Sequence, residues 1–349
     1  MRIRSRPEDF RVDEIALYPA AGEGGHTFVR VEKIARTTEE VARALARAAG
    51  VAPRDVGYAG RKDRVAVTTQ WFSVPGLDPE AALEIPLLGA RVLEAARHPH
   101  KLRTGHLRGN RFRILVRDVA PAAAAAGAAR AEELLRRGLP NRFGEQRFGR
   151  DAANAELGRR ILRGEPGPRD RRAARFLLSA LQAEVFNAVL AARGDAYDRV
   201  ETGDVAVVHA SGGLFVVDDA AREAPRAAAF EISATGPIFG TRVIEPGGEV
   251  ALRERAALAS HGVPAEGLRA PRGVRLRGAR RPLRVRPEGL GLEPTAEGLC
   301  VSVTLPPGSY ATVLLEQLLA AAPDDTAGGG QYPRSPDEEA PDEHREQRL

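Results

Sequence analysis

The chain has 349 residues, which is long for one compact core and favours two domains. It carries 52 Lys and Arg against 47 Asp and Glu, a net charge of +5, and a single cysteine. One cysteine excludes an internal disulfide framework and a cysteine-rich zinc site, so a cytoplasmic location is the default expectation. No run of about 18 apolar residues occurs and the first residues lack the apolar core of a signal peptide, so we expect no membrane partner.

The predicted elements alternate between strands and helices. In the first part of the chain they are strands near 10–15 and 27–31, a helix over 38–50 with Thr37 or Thr38 as its cap, a strand at 56–58, a basic loop at 59–64, and strands at 65–74 and 110–116. The last of these strands is expected to place Phe112 and Ile114 on one face. In the second part they are helices over 121–137, 151–193 and 249–261, strands over 203–217, 284–286 and 299–305, and a helix over 308–322. This alternation with short links predicts a mixed core of helices and strands.

The charge is distributed unevenly along the chain. The segment after Pro323 carries eight acids and three bases, a net charge of −5, so the rest of the chain carries +10. The segment from Pro323 onward is rich in Gly, Pro and acidic residues, a composition that predicts disorder. A body as basic as the remainder favours a polyanionic partner, because Arg and Lys attract phosphates at long range. A solvated arginine-rich surface is the alternative interpretation.

Lysine and asparagine are scarce in this sequence. The three lysines are Lys33, Lys62 and Lys101, and the four asparagines are Asn110, Asn141, Asn154 and Asn187. Lysine is a compact ammonium with a tunable pKa, and asparagine presents a donor and an acceptor together. A position that keeps either residue is therefore a candidate for specific chemistry.

The loop Gly60-Arg-Lys-Asp-Arg64 is the most concentrated chemical pattern. Gly60 permits an unusual backbone conformation, and Asp63 lies among the cations Arg61, Lys62 and Arg64. Nearby cations favour the carboxylate form, which can act as a nucleophile or a base beside a phosphate-bearing substrate. The alternative is an aspartate that closes a turn among solvated neighbours.

Two further segments combine bases with aromatics. Lys101 to Arg113 places five bases around Asn110 and Phe112, a composition that suits a nucleic-acid groove, with the aromatic stacking on a base. The alternative is a surface loop that leads into a strand, with Phe112 in the core. Asn141 to Gly149 contains two aromatics and two arginines, among them Phe143 and Arg147, and indicates either a close ligand contact or a loop that packs its rings between domains.

Seven ordered segments together resemble the TruD family of tRNA pseudouridine synthases. They are Glu8-Asp-Phe-Arg-Val-Asp-Glu14, Gly60-Arg-Lys-Asp63 with Ala66, Thr68, Gln70 and Trp71, Gly105 to Phe112, Pro140 to Gly149, Ser179-Ala-Leu-Gln182 with Phe186-Asn187, Thr235-Gly-Pro237 to Gly240, and Pro307-Gly-Ser-Tyr-Ala-Thr312. The resemblance covers residues 1 to about 320. Seven segments in the right order are more specific than any single motif.

The resemblance implies the pseudouridine synthase fold, an α+β fold with a central antiparallel sheet, and an inserted family-specific α/β (TRUD) domain. The implied catalytic domain is discontinuous, comprising 1–137 and 277–322, the insertion comprises 138–276, and 323–349 is the acidic tail. The same resemblance implies tRNA as partner and a basic cleft that holds it.

The implied reaction isomerises a uridine, expected at position 13 in the D arm of tRNA, to pseudouridine without cofactor or metal. The target base must leave the stack. By resemblance Asp63 is the essential carboxylate, Phe112 stacks on the flipped base, and Asn110 hydrogen-bonds near it. Lys62 and Gln70 orient Asp63. The remaining expected substrate contacts are Arg61, Arg64, Phe143 and Arg147.

Two other classes of function fit parts of the pattern. A non-catalytic RNA-binding protein or RNA chaperone fits the charge, but an acid inside a basic loop repels phosphates and gains a pure binder nothing. A metal-dependent nuclease needs clustered carboxylates, and none lies near Asp63 in sequence. We expect a monomer, because no amphipathic stripe lacks an intramolecular use.

Overall fold

The computed structural model describes residues 1–264, 274 and 276–320, and the acidic tail from 323 onward lies outside the described residues. The strands are β1 (Phe10–Ala16), β2 (His26–Ile34), β3 (Gly57–Tyr58), β4 (Val67–Pro75), β5 (Ala90–His98), β6 (Leu107–Val116), β7 (Leu139–Pro140), β8 (Val205–Val208), β9 (Leu214–Val216), β10 (Ile232–Ile238), β11 (Ala279–Pro282), β12 (Arg284–Val285), β13 (Glu288–Thr295) and β14 (Gly298–Leu305). The α-helices are α1 (Thr38–Ala48), α2 (Pro79–Leu83), α3 (Pro121–Arg137), α4 (Ala153–Leu162), α5 (Arg171–Arg193), α6 (Ala220–Ala228), α7 (Gly248–Ser260) and α8 (Ala311–Leu319).

The described chain divides into two compact units. The first unit contains Met1–Leu139 and Val285–Ala320, and the second contains Pro140–Arg284. The division at 139 lies close to the boundary that the resemblance implies at 137. The return at 285 comes later than the implied 277, because β11 pairs with β10 of the second unit before the chain leaves it.

The first unit is built on an eight-stranded sheet with the order β13-β14-β6-β1-β4-β2-β5, and β3 pairs with β4. The predicted α+β class and pseudouridine synthase fold are confirmed. The sheet is mixed rather than wholly antiparallel, because β1 and β4 run parallel while the other neighbouring strands are antiparallel. Between β1 and β4 the chain runs through β2, α1 and β3, a connection long enough for a parallel pairing.

Alternating burial along β6 places one face of the sheet in the main core of the first unit. Phe112, Ile114 and Val116 are buried, while Arg111 and Arg113 between them are exposed, so the predicted face is confirmed. The buried face packs against α3 and α8.

Helix α1 lies over a second core of the first unit, formed with β2 and β4. Its predicted cap is confirmed at Thr37, whose side chain accepts from the Glu40 amide at 3.2 Å while Glu40 accepts from the Thr37 amide at 2.7 Å. This cap fixes where the helix begins. It thereby places Thr38, the first helical residue, against the loop that carries Asp63.

The second unit has a four-stranded antiparallel sheet with the order β11-β10-β8-β9. Helix α5 packs on this sheet and against α4 and α7. Within the described residues, the stretch Arg171–Asp198 is the one helical segment long and apolar enough to cross a membrane by length and composition. Most of its apolar window is buried in the unit, which is the pattern of a core helix.

Candidate active site

The side chain of Asp63 lies on the loop between β3 and β4 and is 45% exposed. Its Oδ2 accepts from Nη2 of Arg4 at 2.6 Å. Of the two arginines that flank it in sequence, Arg61 pairs with Glu39 at 2.5 Å and Arg64 donates to the Ala35 carbonyl at 3.4 Å. A cation from the N-terminal segment, Arg4, therefore holds the carboxylate.

Arg4 is the functional neighbour that sequence reasoning missed. Its φ of 58° lies in the left-handed region, and its guanidinium lies 4.2 Å from the centroid of the Phe10 ring. Its Nε is buried without a hydrogen-bond partner among the described residues. A strained backbone together with an unpaired buried donor is typical of a functional position. Nothing in the sequence separates Arg4 from Arg2 and Arg6 beside it.

The segment that carries Arg4 is tied to the end of β6. Arg2 and Arg117 exchange backbone hydrogen bonds of 2.8 Å. Asp9 is buried, accepts from Arg117 Nη2 at 2.7 Å and Nε at 3.0 Å, and accepts from the Arg6 amide at 3.0 Å. The bond from Arg117 holds the pKa of the Asp9 carboxyl below its usual value. These contacts explain the Glu8-Asp-Phe10 sequence: Asp9 anchors the segment and Phe10 supports the Arg4 guanidinium.

Lys33 fixes the backbone of the Asp63 loop from the interior. Its fully buried Nζ donates to the carbonyls of Asp63 at 2.9 Å and Arg36 at 2.7 Å, and lies 3.4 Å from that of Lys62. Burial lowers the pKa of Lys33 to about 8, while the Asp63 charge opposes the shift. The scarcity of lysine was the available signal for this position, since a compact ammonium reaches three carbonyls where a planar guanidinium does not fit.

Lys62 points away from solvent and pairs with a buried acid. Its Nζ lies 2.6 Å from Glu14 Oε2, and the two side chains are 6% and 1% exposed. Glu14 Oε1 accepts from the Trp71 amide at 3.1 Å, and the Lys62 amide donates to Thr38 Oγ1 at 3.0 Å. Lys62 thus ties the loop to β1 and β4, which agrees with a positioning role.

Gln70 completes the support of the loop. Its Oε1 accepts from Thr38 Oγ1 at 2.8 Å and its Nε2 donates to the Gly60 carbonyl at 3.2 Å. Gly60 itself has no left-handed φ, and a Cβ added there would meet no atom within 4 Å. The unusual backbone conformation expected at Gly60 is therefore not observed. The loop geometry is set by Lys33, Lys62 and Gln70 instead.

Asn110 lies on β6 opposite Glu14 of β1 and Leu305 of β14. Its Oδ1 is buried without a hydrogen-bond partner among the described residues, and the same holds for Thr68 Oγ1 and Ser309 Oγ. A buried polar atom left unpaired costs about 1–3 kcal/mol, so these atoms are candidates to bond a substrate. Thr68 and Ser309 lie in two of the segments that carry the family resemblance, but neither was predicted to contact the substrate.

Phe112 lies in the core rather than on an open surface. It is 8% exposed and meets Phe10 edge-on, with ring centroids 6.2 Å apart. Because Phe10 carries the Arg4 guanidinium on its ring, Phe112 connects to Asp63 through two intermediate side chains. The expected stacking of Phe112 on a flipped base stays a prediction.

Phe143 and Arg147 belong to the second unit, so the structure groups them apart from the seven expected residues of the first. The Phe143 amide donates to Asn187 Oδ1 at 2.8 Å, and Asn187 Nδ2 donates to the Phe143 carbonyl at 3.0 Å. Arg147 Nη2 donates to Ser179 Oγ at 2.6 Å. Asn187 and Ser179 on α5 therefore fix this loop. Within residues 1–264, 274 and 276–320, no group of three or more His, Cys, Asp or Glu side chains is placed to hold a metal ion.

Comparison with known proteins identifies the family of the chain. The family described as tRNA pseudouridine synthase D (TruD) matches residues 1–168 and 170–318. The tRNA pseudouridine synthase D of Anaeromyxobacter sp. (strain Fw109-5) is 47% identical over 330 residues, 91% of this chain and 92% of that protein. The protein of the same name from Thermus thermophilus is 44% identical over 324 residues, 91% of this chain and 88% of that protein.

A crystal structure of a TruD protein from Methanosarcina mazei superposes with a TM-score of 0.71 at 22% identity, covering 91% of this chain and 93% of that one. At this identity it supports the fold alone. The fold and the family match define the class of the protein as a pseudouridine synthase. The chain belongs to the tRNA pseudouridine synthase D (TruD) family.

Proposed function

We propose that this protein converts a uridine of tRNA into pseudouridine and that Asp63 is the carboxylate that reacts. The observation that carries the proposal is a half-exposed aspartate whose carboxylate is held by Arg4 while a buried lysine holds its backbone, in a chain of this family. A carboxylate that is both open to solvent and rigidly supported is prepared for a bound substrate. A pure RNA-binding protein has no use for such an arrangement.

The reaction breaks the bond between C1′ and N1 and forms one between C1′ and C5. The hydrogen of C5 leaves as a proton, and N1, which keeps the electron pair of the broken bond, takes up a proton. The uracil is both leaving group and incoming nucleophile, so the balance of atoms needs no cofactor. The base is detached only after it has left the stack. We propose that Asn110, with its unpaired Oδ1, bonds the extruded nucleotide, and that Arg4 keeps Asp63 aimed at it.

The remaining roles follow from what each side chain contacts. Lys62 and Gln70 position the loop through Glu14 and the Gly60 carbonyl, so their effect on the reaction is indirect. Arg61 is 78% exposed and is proposed, with Arg64, to attract the RNA backbone. Phe143 and Arg147 are proposed to bind RNA in the second unit.

The finer identity of the substrate is also part of the proposal. We propose position 13 of the D arm as the target, the cytoplasm as the location and a monomer as the active form. The net charge of +10 outside the tail supports a large polyanionic substrate.

Release of tritium from an unmodified tRNA transcript labelled at uridine C5 tests the reaction. The assay compares wild type with Asp63→Asn, which keeps the shape but removes the charge, in a buffer that contains EDTA. We expect release by wild type and a loss on the order of 10³-fold or more in the variant, with tRNA binding retained. Turnover by Asp63→Asn at the wild-type rate would remove Asp63 from the mechanism. Tight binding without release by wild type would favour the RNA-binding alternative.

A further inference from the structure

The second unit contains an open pocket of about 360 Å³ whose walls are basic and partly aromatic. The lining side chains that matter here are Phe143, Arg147, Ser179, Arg280 and Arg281. None of the described lining residues is acidic. The volume falls in the range of about 300–1,000 Å³ that is usual for ligand sites. The pocket therefore suits an anionic ligand with a flat apolar part.

One of the three arginines is neutralised within the unit. Arg280 donates from Nη1 to Glu254 Oε2 at 2.8 Å and from Nη2 to Glu254 Oε1 at 2.6 Å, and the two side chains are 1% and 7% exposed. Such a two-bond pair cancels the charge of Arg280. Arg280 therefore adds no net charge to the pocket.

Arg147 carries a charge that no described carboxylate balances. Among the described residues its hydrogen-bond partner is the neutral hydroxyl of Ser179, and its Nε is buried without a partner. Its guanidinium also lies 5.4 Å from the centroid of the Phe176 ring, and Phe176 is 45% exposed. A phosphate oxygen is the acceptor that a guanidinium in this situation binds best.

Arg281 presents a fixed flat surface. Its guanidinium lies 4.1 Å from the centroid of the Phe143 ring and 5.4 Å from that of Phe186. Hydrogen bonds to Asn141, from Nη2 to Oδ1 at 2.6 Å and from Nε to the carbonyl at 3.1 Å, hold its plane. The pocket wall that Arg281 and Phe143 form is therefore rigid, and its planar groups suit contact with a nucleobase.

We propose that this pocket binds one nucleotide of the RNA substrate, with the phosphate at Arg147 and the base against the wall that Phe143 and Arg281 form, while the exposed ring of Phe176 stacks on a neighbouring base. The inference rests on the proposed function, since that function supplies the RNA. The pocket has charge and stacking surfaces but no described acid or base group placed for chemistry. Its contribution is therefore to affinity.

Equilibrium filter binding of the full chain to an unmodified tRNA transcript, over a series of salt concentrations, tests the pocket. We expect Arg147→Gln to raise Kd by about 10-fold and to reduce the slope of log K against log salt by about one, because one phosphate contact is lost. Arg147→Lys keeps the charge and should restore the slope. Phe176→Ala should raise Kd by about 5-fold or more without changing the slope, because it removes stacking and no charge.

The matched control is Arg255→Gln, which removes one exposed charge from α7 of the same unit outside the pocket. It should leave Kd close to the wild-type value. Melting temperatures verify that each variant is folded, and Phe176 is exposed enough that its removal leaves the core intact. Arg147→Gln and Phe176→Ala that bind like Arg255→Gln, with an unchanged slope, would overturn the proposal.

Failure of the pocket and failure of the proposed function give different results. Normal binding by the pocket variants together with tritium release by wild type refutes the pocket and leaves the reaction standing. Weakened binding by the variants without tritium release by wild type supports the pocket and refutes the reaction.

Discussion

Two loops carry residues that are proposed to contact RNA, and the two loops are held in different ways. The Asp63 loop of the first unit is held by a buried charged group, Lys33, bonded to backbone carbonyls. The Phe143 loop of the second unit is held by a neutral amide, Asn187, which bonds the amide and the carbonyl of one residue. A charged anchor binds more strongly but titrates, whereas an amide does not. The Asp63 loop is therefore the one whose anchoring side chain, Lys33, changes charge with pH.

The largest expected effects come from the buried ion pairs of the two units. Glu14→Gln leaves Lys62 as an unpaired buried charge and should lower the free energy of unfolding by about 3–5 kcal/mol. Asp204→Asn in the second unit should cost about 3 kcal/mol, because Arg193 keeps Glu201 at 3.3 Å. Urea titrations measure both losses. Because Lys62 positions the Asp63 loop, we expect Glu14→Gln, and not Asp204→Asn, to slow tritium release by the folded protein. Equal slowing by both variants would contradict a special role for the Glu14–Lys62 pair in the reaction.

Replacing the two anchors separates rate from affinity. Lys33→Met frees the carbonyls of Asp63 and Arg36, so we expect turnover at saturating tRNA to fall by about 100-fold with Kd within a few-fold of wild type. Asn187→Leu frees the Phe143 backbone and should act on Kd more than on turnover. Single-turnover tritium release measures the turnover of each variant, and filter binding measures its Kd for tRNA. A Lys33→Met variant with normal turnover would show that the loop keeps its shape without its anchor.

The charged anchor predicts a pH dependence that the amide anchor lacks. Lys33 has a pKa of about 8 in the folded protein, against 10.5 for an ordinary lysine. Between these values the unfolded chain binds more protons, so the free energy of unfolding rises with pH; below about pH 8 the cost of burying the charge is fully present. From pH 8 to 9.5 wild type should gain about 1.5 kcal/mol relative to Lys33→Met.

Urea titrations of both proteins at the two pH values isolate the Lys33 contribution, since other groups titrate equally in each. A constant difference between them would place the pKa of Lys33 outside this window. Asn187→Leu is the control, and its difference from wild type should not change with pH.

The smallest expected effect concerns the ring of Phe112. Phe112→Leu keeps most of the core volume, so its stability cost should stay below about 1.5 kcal/mol. If the ring stacks on the flipped base, turnover should fall by about 5-fold or more in the folded variant. Unchanged turnover would confine Phe112 to the core beside Phe10, and stacking would then belong to the rings of the second unit alone.

Local sequence patterns predicted many of the helices and strands, but they did not predict which strands pair. Alternation along β6 and the Thr37 cap of α1 were visible because both are properties of a few adjacent residues. The parallel pairing of β1 with β4 was not, since register depends on residues far apart in the chain. Strand β5 was not predicted from the sequence. It lies at the edge of the sheet, and its buried and exposed positions do not alternate regularly.

The same limit applies to the site. The Asp63 loop was found because its composition is unusual, but its partners Arg4 and Lys33 lie 59 and 30 residues away in sequence. Phe112 shows the opposite case, because its position in a basic segment favours a surface role while the fold turns it into the core. A single aromatic residue in a strand cannot be assigned to the surface or to the core until it is known which face of the sheet the helices cover.

The division of the first unit has a consequence for how the protein is made. Its strand β14 pairs with β6 inside the sheet, and its helix α8 packs on α3, yet both follow the whole second unit in the chain. During synthesis on the ribosome the second unit is complete in sequence before the first, and β6 waits with an unpaired edge until residues 298–305 emerge. Such an edge is open to wrong partners. The sheet of the first unit is therefore complete only after β14 has been synthesised, and a nascent chain arrested before β14 exposes the edge of β6.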